Sequence, residues 1–309
     1  MLATNEKTII ICGIVRNAAK GLRRNIPEIK RLCRSFRDYR VFVYENDSTD
    51  LTKQILTEWH ESDVDRVMVS LHTTSPSATI PKASEVAGVN PFYSFKRIDR
   101  MARLRNAYME YVDENGWQAD YLMVVDLDVA WIKAENILTS FKKEGWDAVT
   151  AFGYSTSPKL KRRYHDTYAL TEYGQELQPQ TEHKIKYLAN KYANLSPEDP
   201  WVRVFSAFGG VAVYRYECVK GLRYRVIPNS DPRVEVRCEH YSIYQQMGER
   251  GYHRVFINPA MIVKYQQISF KILYNSMLRR IKRIGGGNLE PDDLLAIPGM
   301  YNRLNGMAA

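Results

Sequence analysis

"MVVDLDVAW", residues Met123 to Trp131, places two carboxylates directly after an apolar run that is typical of a buried strand. Aspartate at a strand end can simply serve a turn, because its side chain bonds to nearby backbone N–H groups. Alternatively, Asp126 and Asp128 bind one divalent cation, since residues i and i+2 of an extended segment point the same way. Mg²⁺ commonly combines one or two carboxylates with substrate phosphates. The rest of the chain must decide between a turn and a metal site.

The composition indicates a globular protein with an anionic partner. The chain has 309 residues, of which 45% are hydrophobic and 26% are charged, enough for one large domain or two closely packed ones. The net charge of +9 suggests a nucleotide, nucleic acid, acidic glycan or membrane surface as partner. The four cysteines have no CxxC spacing, so no zinc site is expected. Cys12 lies in an apolar strand and is expected to be a buried free thiol, which fits a reducing, cytoplasmic compartment. No secretory signal or membrane span is expected.

The order of predicted elements favours an α/β fold. Strands are predicted at Thr8–Val15, Tyr39–Tyr44 and Val64–Leu71, with helices between them. Such alternation at short intervals is typical of a parallel sheet. Further along, a helix is predicted over Arg97–Val112 and a strand over Tyr121–Val125. Residues 153–200 are irregular in pattern and are predicted to form substrate-facing loops and short helices. One strand with a Gly-Gly break is predicted over Val204–Tyr214, then a helix over Glu239–Arg250 and a late strand at 252–265.

Polar clusters follow several of these strands. They are Arg16-Asn17 after the first strand, Glu45-Asn46-Asp47 after the second, and Asp126 with Asp128 after a later one. Ligands of parallel α/β sheets bind at the carboxyl ends of the strands. A purely structural sheet would not need acids at so many strand ends. The recurrence therefore favours a site for a nucleotide and a metal.

A basic segment, "FKRIDRMARLRN" (95–106), precedes the acidic strand. Arginine suits phosphate recognition because its guanidinium makes forked hydrogen bonds. Arg97 and Arg100 fit a solvated helix face equally well. Arg103 and Asn106 lie three residues apart on one predicted helix face, which makes them better candidates.

Five blocks in order resemble the GT-A glycosyltransferases. They are "VYENDSTDLTKQIL", "RMARLRNA", "YLMVVDLDVAW", "FGGVAVY" and "CEH" opening a helix. Within that group the chain is most similar to the fungal capsule-associated α-1,3-mannosyltransferase family. The resemblance implies a mostly parallel, Rossmann-like central sheet with helices on both faces and a smaller acceptor-side region. It implies one domain over 1–265, with a nucleotide-binding half of about 1–130 and an acceptor-side half of about 131–265.

The resemblance also implies roles for residues that bind the donor. Glu45 or Asp47 would hold the base or ribose, Arg103 would face the diphosphate, and Arg16 with Asn17 would line the nucleotide pocket. Asp126 and Asp128 would hold Mn²⁺ or Mg²⁺ against both phosphates, Asp128 more directly. The metal would neutralise charge on the departing nucleoside diphosphate.

Three further roles are implied around the sugar. Gly209 and Gly210 would let the backbone approach the donor or acceptor sugar. A third metal ligand would come from a late position, with His240 or His253 as alternatives, or Lys264 would contact the diphosphate itself. Glu239 would act as general base in an inverting enzyme. The capsule family is retaining, in which case Glu239 would orient the acceptor or favour its helix N-terminus.

The implied activity is transfer of a sugar from GDP-mannose or another nucleotide sugar to a glycan or lipid-linked glycan. A sugar-phosphate nucleotidylyltransferase is one alternative, but "CGIVRNAAKG" lacks the glycine density of its phosphate loop. A nucleic-acid-binding protein is the other, although no such motif appears. The segment 266–309 is predicted to begin with a basic amphipathic helix over 268–284, which either packs on the main domain or lies on an anionic membrane surface.

Overall fold

A computed structural model of the chain describes residues 3–73, 80–156 and 161–265. Residues 3–155 and 162–265, as far as they are described, belong to one compact unit. The predicted C-terminal helix and its membrane contact at 268–284 lie outside the described residues. In the described ranges we find no helix with the length and apolar character to cross a bilayer.

Strands and helices alternate along the described chain much as expected. The strands are β1 (Thr8–Val15), β2 (Asp38–Asn46), β3 (Val67–His72), β4 (Tyr121–Val125), β5 (Ala148–Thr156), β6 (Arg162–Tyr164), β7 (Thr171–Glu172), β8 (Val202–Ser206), β9 (Val211–Arg215) and β10 (Val255–Lys264). The α-helices are α1 (Ala19–Cys33), α2 (Thr52–Glu61), α3 (Phe95–Glu114), α4 (Ala134–Leu138), α5 (Glu182–Lys191), α6 (Tyr216–Val219) and α7 (Glu239–Glu249). Single 3₁₀ turns lie at Ala3–Glu6, Ala83–Glu85, Pro91–Tyr93 and Thr139–Lys142.

All these strands form one sheet with the order β3-β2-β1-β4-β9-β5-β10-β8-β7, and β6 pairs with β5. The neighbours β3, β2, β1 and β4 are mutually parallel, as are β5 and β10. Strand β9 runs antiparallel between β4 and β5, and β8 runs antiparallel to β10 and β7. The predicted α/β fold with a mostly parallel central sheet is confirmed.

The central strand β1 explains why helices cover both faces. Its residues Ile9 and Ile11 join one apolar core, whereas Ile10 and Cys12 join the other, because successive side chains point to opposite faces. Helices α1 and α2 contribute to the first core, and α3 and α7 contribute to the second. An unbroken apolar run is what a strand buried on both faces requires.

Two predictions about the later chain are corrected. The single strand predicted over Val204–Tyr214 is in fact β8 and β9, which are not neighbours in the sheet. The reason is that Gly209 (φ +64°) and Gly210 (φ +89°) adopt left-handed backbone conformations and redirect the chain. The segment 153–200, predicted to form loops and short helices, contains helix α5 but also the end of β5 and the strands β6 and β7. Cys12 is a buried free thiol, as predicted, and the other three cysteines are also buried and unbridged.

Candidate active site

A cavity of about 520 Å³ opens where β1, β2 and β4 end. Its walls come from these strand ends, one face of α3, the loop before β7 and the first turn of α7. Lining residues include Arg16, Asn17, Asn46, Asp126, Asp128 and Glu239. The carboxyl edge of the parallel strands therefore carries the principal polar cavity, as the strand-end clusters predict.

Asp126 and Asp128 both line this cavity from the turn that follows β4. The Asp126 N–H donates to the Gly210 carbonyl at 2.9 Å, which ties the turn to the start of β9. Burial raises the pKa of Asp126 to about 7; Arg105 opposes this shift and Asp128 adds to it, while 20% of the side chain still opens to the cavity. The Asp128 side chain is exposed. Two carboxylates that repel each other at a cavity wall suit a bound cation.

Helix α1 holds this turn through a contact that sequence reasoning missed. The Asn25 side chain is fully buried, and its Nδ2 donates to the carbonyls of Leu127 (3.1 Å) and Val129 (2.9 Å). Its Oδ1 accepts from the Ile132 N–H at 3.2 Å. One turn earlier, a Cβ on Gly21 would lie 2.9 Å from the Leu127 carbonyl oxygen. The sequence could have indicated a buried polar contact here, since Asn25 interrupts the apolar stripe of α1.

Helix α3 presents Arg105, rather than the predicted Arg103, to the cavity. Arg105 is 3% exposed; its Nε donates to Glu239 Oε1 at 2.9 Å and its Nη2 to Asp126 Oδ1 at 3.3 Å. Arg97 and Arg100 also line the cavity. The side chain of Arg103 is 74% exposed and pairs with Asp99. Positions 97, 100, 101, 104 and 105 span one helical face, and position 103 lies beyond the edge of that face.

Asn106, the other α3 candidate, has a structural contact. Its side chain donates to the Tyr224 carbonyl at 3.0 Å and accepts from the Tyr224 N–H at 2.7 Å. It therefore anchors the segment before α7 and is not among the residues that line the cavity.

Glu239 and His240 enter the cavity from the first turn of α7. Burial would raise the pKa of Glu239, but the nearby positive charges, with Arg105 the largest, together outweigh burial and lower the pKa to about 2. Burial lowers the pKa of His240 well below its usual value, so the imidazole is neutral. The ring stacks on Phe208 with centroids 3.9 Å apart. Neither ring nitrogen has a hydrogen-bond partner among the described residues.

Asp166 is a cavity residue that sequence reasoning missed. It has a left-handed backbone (φ +60°), and its Oδ2 accepts from the Gly209 N–H at 3.3 Å. Burial, followed by repulsion from Asp126 and Glu239, raises its pKa to about 8. It lies in the segment predicted to be irregular, where no strand-end pattern could single it out.

The polar residues after β1 contact the loop that follows β2. Arg16 and Asn17 line the cavity, and their contact with a nucleotide stays a prediction. Asn17 (φ +50°) donates its N–H to Ser48 Oγ at 2.9 Å and accepts from the Thr49 N–H at 2.8 Å. Asn17 therefore fixes the loop after β2 against the end of β1.

Two acids of the second cluster lie beside the cavity wall rather than in it, whereas Asn46 lines it. Glu45 is fully buried, accepts from the Ser48 N–H at 2.6 Å and lies 3.7 Å from Lys53 Nζ. Asp47 (φ +57°) lies 3.8 Å from Arg100 Nη2. Contact of either acid with a base or ribose stays a prediction.

The remaining predicted residues support the cavity from outside its lining. Lys264 exchanges backbone hydrogen bonds with Trp131, and the next residue, Tyr265, lines the cavity. A Cβ on Gly209 would lie 2.1 Å from the Ala151 carbonyl oxygen, so this glycine permits close packing against β5. Sugar contacts by Gly209 and Gly210, and a phosphate contact by Lys264, stay predictions.

A two-carboxylate metal site fits this arrangement. The described residues contain no group of three His, Cys, Asp or Glu side chains placed to hold a metal. His240 and His253 are thus not gathered with Asp126 and Asp128 into such a set. A cation of the Mg²⁺ type does not require three protein ligands, because substrate phosphates and water complete its shell.

Comparison with known protein families identifies the family of the chain. The family described as Cryptococcal mannosyltransferase 1 matches residues 8–244. The chain belongs to this family. The matched range contains both aspartates, Arg105 and the first turn of α7, and it confirms the expected kinship with glycosyltransferases at the level of the family. No curated protein sequence matches the chain.

Several solved structures are similar to the chain at low identity. A mannosyltransferase from Pyrobaculum calidifontis, in complex with GDP-Man and Mn²⁺, has a TM-score of 0.47 and 15% identity, with 93% of this chain and 66% of that chain covered. S. aureus TarS 1–349 with UDP-GlcNAc has a TM-score of 0.44 and 11% identity, and the match covers 92% of this chain and 68% of that chain. GalNAc-T7 with UDP, GalNAc and Mn²⁺ has a TM-score of 0.44 and 12% identity, and the match covers 84% of this chain and 44% of that chain. The chain spans about two thirds of the first two structures and less of the third.

Proposed function

We propose that the chain is a metal-dependent, retaining glycosyltransferase that moves a hexose, with mannose as first candidate, from a nucleotide sugar such as GDP-mannose to a hydroxyl of a glycan or lipid-linked glycan. The observation that carries the proposal is that Asp126 and Asp128 line one cavity together with the arginines of α3, in a chain of the Cryptococcal mannosyltransferase 1 family.

We assign the donor diphosphate to the part of the cavity lined by these aspartates and arginines. When bound, Mn²⁺ or Mg²⁺ held by Asp126 and Asp128 supplies Lewis-acid stabilisation of the departing diphosphate. Arg97 and Arg100, which line the same cavity from α3, supply forked donors to the diphosphate. Arg16, Asn17 and Asn46 are the wall residues nearest to the loop after β2, and we assign them to the nucleoside, with Glu45 and Asp47 behind them.

The ion pair of Glu239 supports a retaining enzyme. An inverting enzyme needs a carboxylate that takes the acceptor proton. The Glu239 carboxylate already accepts from the guanidinium of Arg105, which stabilises its charged form and makes it a weak base. We therefore assign Glu239 to orientation of a sugar and not to the general base of an inverting mechanism.

The test is a thermal-shift and transfer screen of GDP, UDP, CMP and dTDP sugars with Mn²⁺. A ligand that binds the folded state raises the melting temperature by mass action, so the true donor stands out. Asp128→Asn should abolish transfer and metal-dependent donor stabilisation. Asp65→Asn, an exposed aspartate at the opposite end of the sheet, is the control and should match wild type. If no sugar nucleotide stabilises the wild type, the proposal is wrong.

A further inference from the structure

Three buried polar atoms at the floor of the cavity have no hydrogen-bond partner among the described residues. They are Nη1 of Arg105 and both ring nitrogens, Nδ1 and Nε2, of His240. Both residues line the cavity although Arg105 is only 3% and His240 only 1% exposed. Buried polar groups are nearly always satisfied, so three unmet atoms at one place indicate a ligand that completes them.

Packing holds these atoms in place. The Arg105 guanidinium is fixed by Glu239 on one side and by Asp126 on the other. The Phe208 ring stacks on the His240 imidazole, with 18° between the planes, and lies 5.0 Å from the Arg105 guanidinium carbon. The Tyr224 ring packs edge-on against the imidazole, with ring centroids 5.6 Å apart. The unmet atoms are thus preorganised and have little freedom to find other partners.

The charges of this group favour a neutral ligand. Arg105 is balanced by the carboxylates of Asp126 and Glu239. A buried imidazole with no partner is neutral, because an isolated buried charge is very costly. Neutral imidazole offers one donor and one acceptor, and Arg105 Nη1 offers donors. Hydroxyl groups, which both donate and accept, match this set better than a phosphate or carboxylate.

The position of the group relative to the metal site identifies the ligand. Asp126, Arg105, Glu239 and His240 are linked in that order by contacts of 3.3, 2.9 and 3.8 Å. The proposed function places the donor diphosphate at Asp126. The next part of a nucleotide sugar after the diphosphate is the transferred sugar, which carries neighbouring hydroxyls.

We infer that His240 and Arg105 Nη1 form a subsite that recognises two adjacent hydroxyl groups of the transferred sugar. His240 then has a sugar-binding role in place of the metal-ligand role that the sequence suggested. The inference rests on the proposed function, which it makes specific at this end of the cavity.

The experiment compares donor fragments on the full chain with Mn²⁺ present. Calorimetric titration with GDP and with GDP-mannose separates the affinity due to the nucleotide from the affinity due to the sugar. His240→Phe keeps the ring stack on Phe208 and removes both nitrogens. It should bind GDP as wild type does and bind GDP-mannose at least about tenfold more weakly. His240→Gln, which keeps a donor and an acceptor, should recover part of the loss.

Deoxy analogues of the donor locate the contact. Wild type should lose affinity for GDP-mannose analogues that lack either of two adjacent hydroxyls, and His240→Phe should no longer distinguish these analogues from the parent. Equal weakening of GDP and GDP-mannose in both variants, or a changed Mn²⁺ affinity alone, would overturn the inference. If wild type binds no sugar nucleotide, the proposed function is wrong. If wild type prefers another sugar nucleotide, the variants are compared on that donor and on its nucleoside diphosphate instead.

Discussion

Replacing Asn25 with alanine tests whether α1 positions the metal-binding turn. The substitution removes the hydrogen bonds to Leu127, Val129 and Ile132, which flank or follow Asp128. At about 1 kcal/mol for each bond, the loss of unfolding free energy is about 3 kcal/mol. The freed turn should also hold Asp128 less accurately, so the Mn²⁺ concentration for half-maximal transfer should rise about tenfold or more.

A matched control is available in Asn258. It is 1% exposed, donates to Thr139 and Ser140, and accepts from the Ala260 N–H, yet it is not among the cavity-lining residues. Asn258→Ala should therefore lose similar stability in urea unfolding while keeping the wild-type Mn²⁺ requirement at a temperature where both variants are folded. Direct Mn²⁺ binding in the presence of GDP, followed by electron paramagnetic resonance, gives a second measure. Equal Mn²⁺ affinities in the two variants would refute the positioning role.

Three other substitutions test separate features. Gly209→Ala adds a Cβ 2.1 Å from a carbonyl oxygen at φ +64° and should cost at least about 3 kcal/mol of unfolding free energy, whereas Gly145→Ala (φ +81°, open surroundings) should cost about 1 kcal/mol. Arg105→Lys cannot bridge two carboxylates and should lower transfer roughly ten- to hundredfold, while Arg103→Lys should have no effect in the same assay. The pKa of Asp166 is raised by burial to about 8, so the stability from its protonated form is complete below pH about 3.8 and is lost as pH rises through about 8. Asp166→Asn should therefore gain stability over wild type at pH 9 and not at pH 4, and chemical unfolding at both values checks this.

The sequence by itself determined most of the elements and the edge of the sheet that carries the chemistry. The apolar run of β1 predicts a strand buried on both faces, and the acids after β4 predict a cavity at the strand ends. These inferences succeed because they depend on short-range periodicity, which the order of residues expresses directly.

Tertiary structure decided which side chains meet in the cavity. Packing of Ile98, Ala102 and Tyr108 against the protein interior sets the rotation of α3, and this rotation selects Arg105 over Arg103. The hydrogen bonds of Asn25 with the turn after β4, and the hydrogen bond between Asp166 and Gly209, each join residues that are more than 40 positions apart in the chain. Such contacts depend on how whole elements pack, and neither spacing nor composition within one segment contains that information.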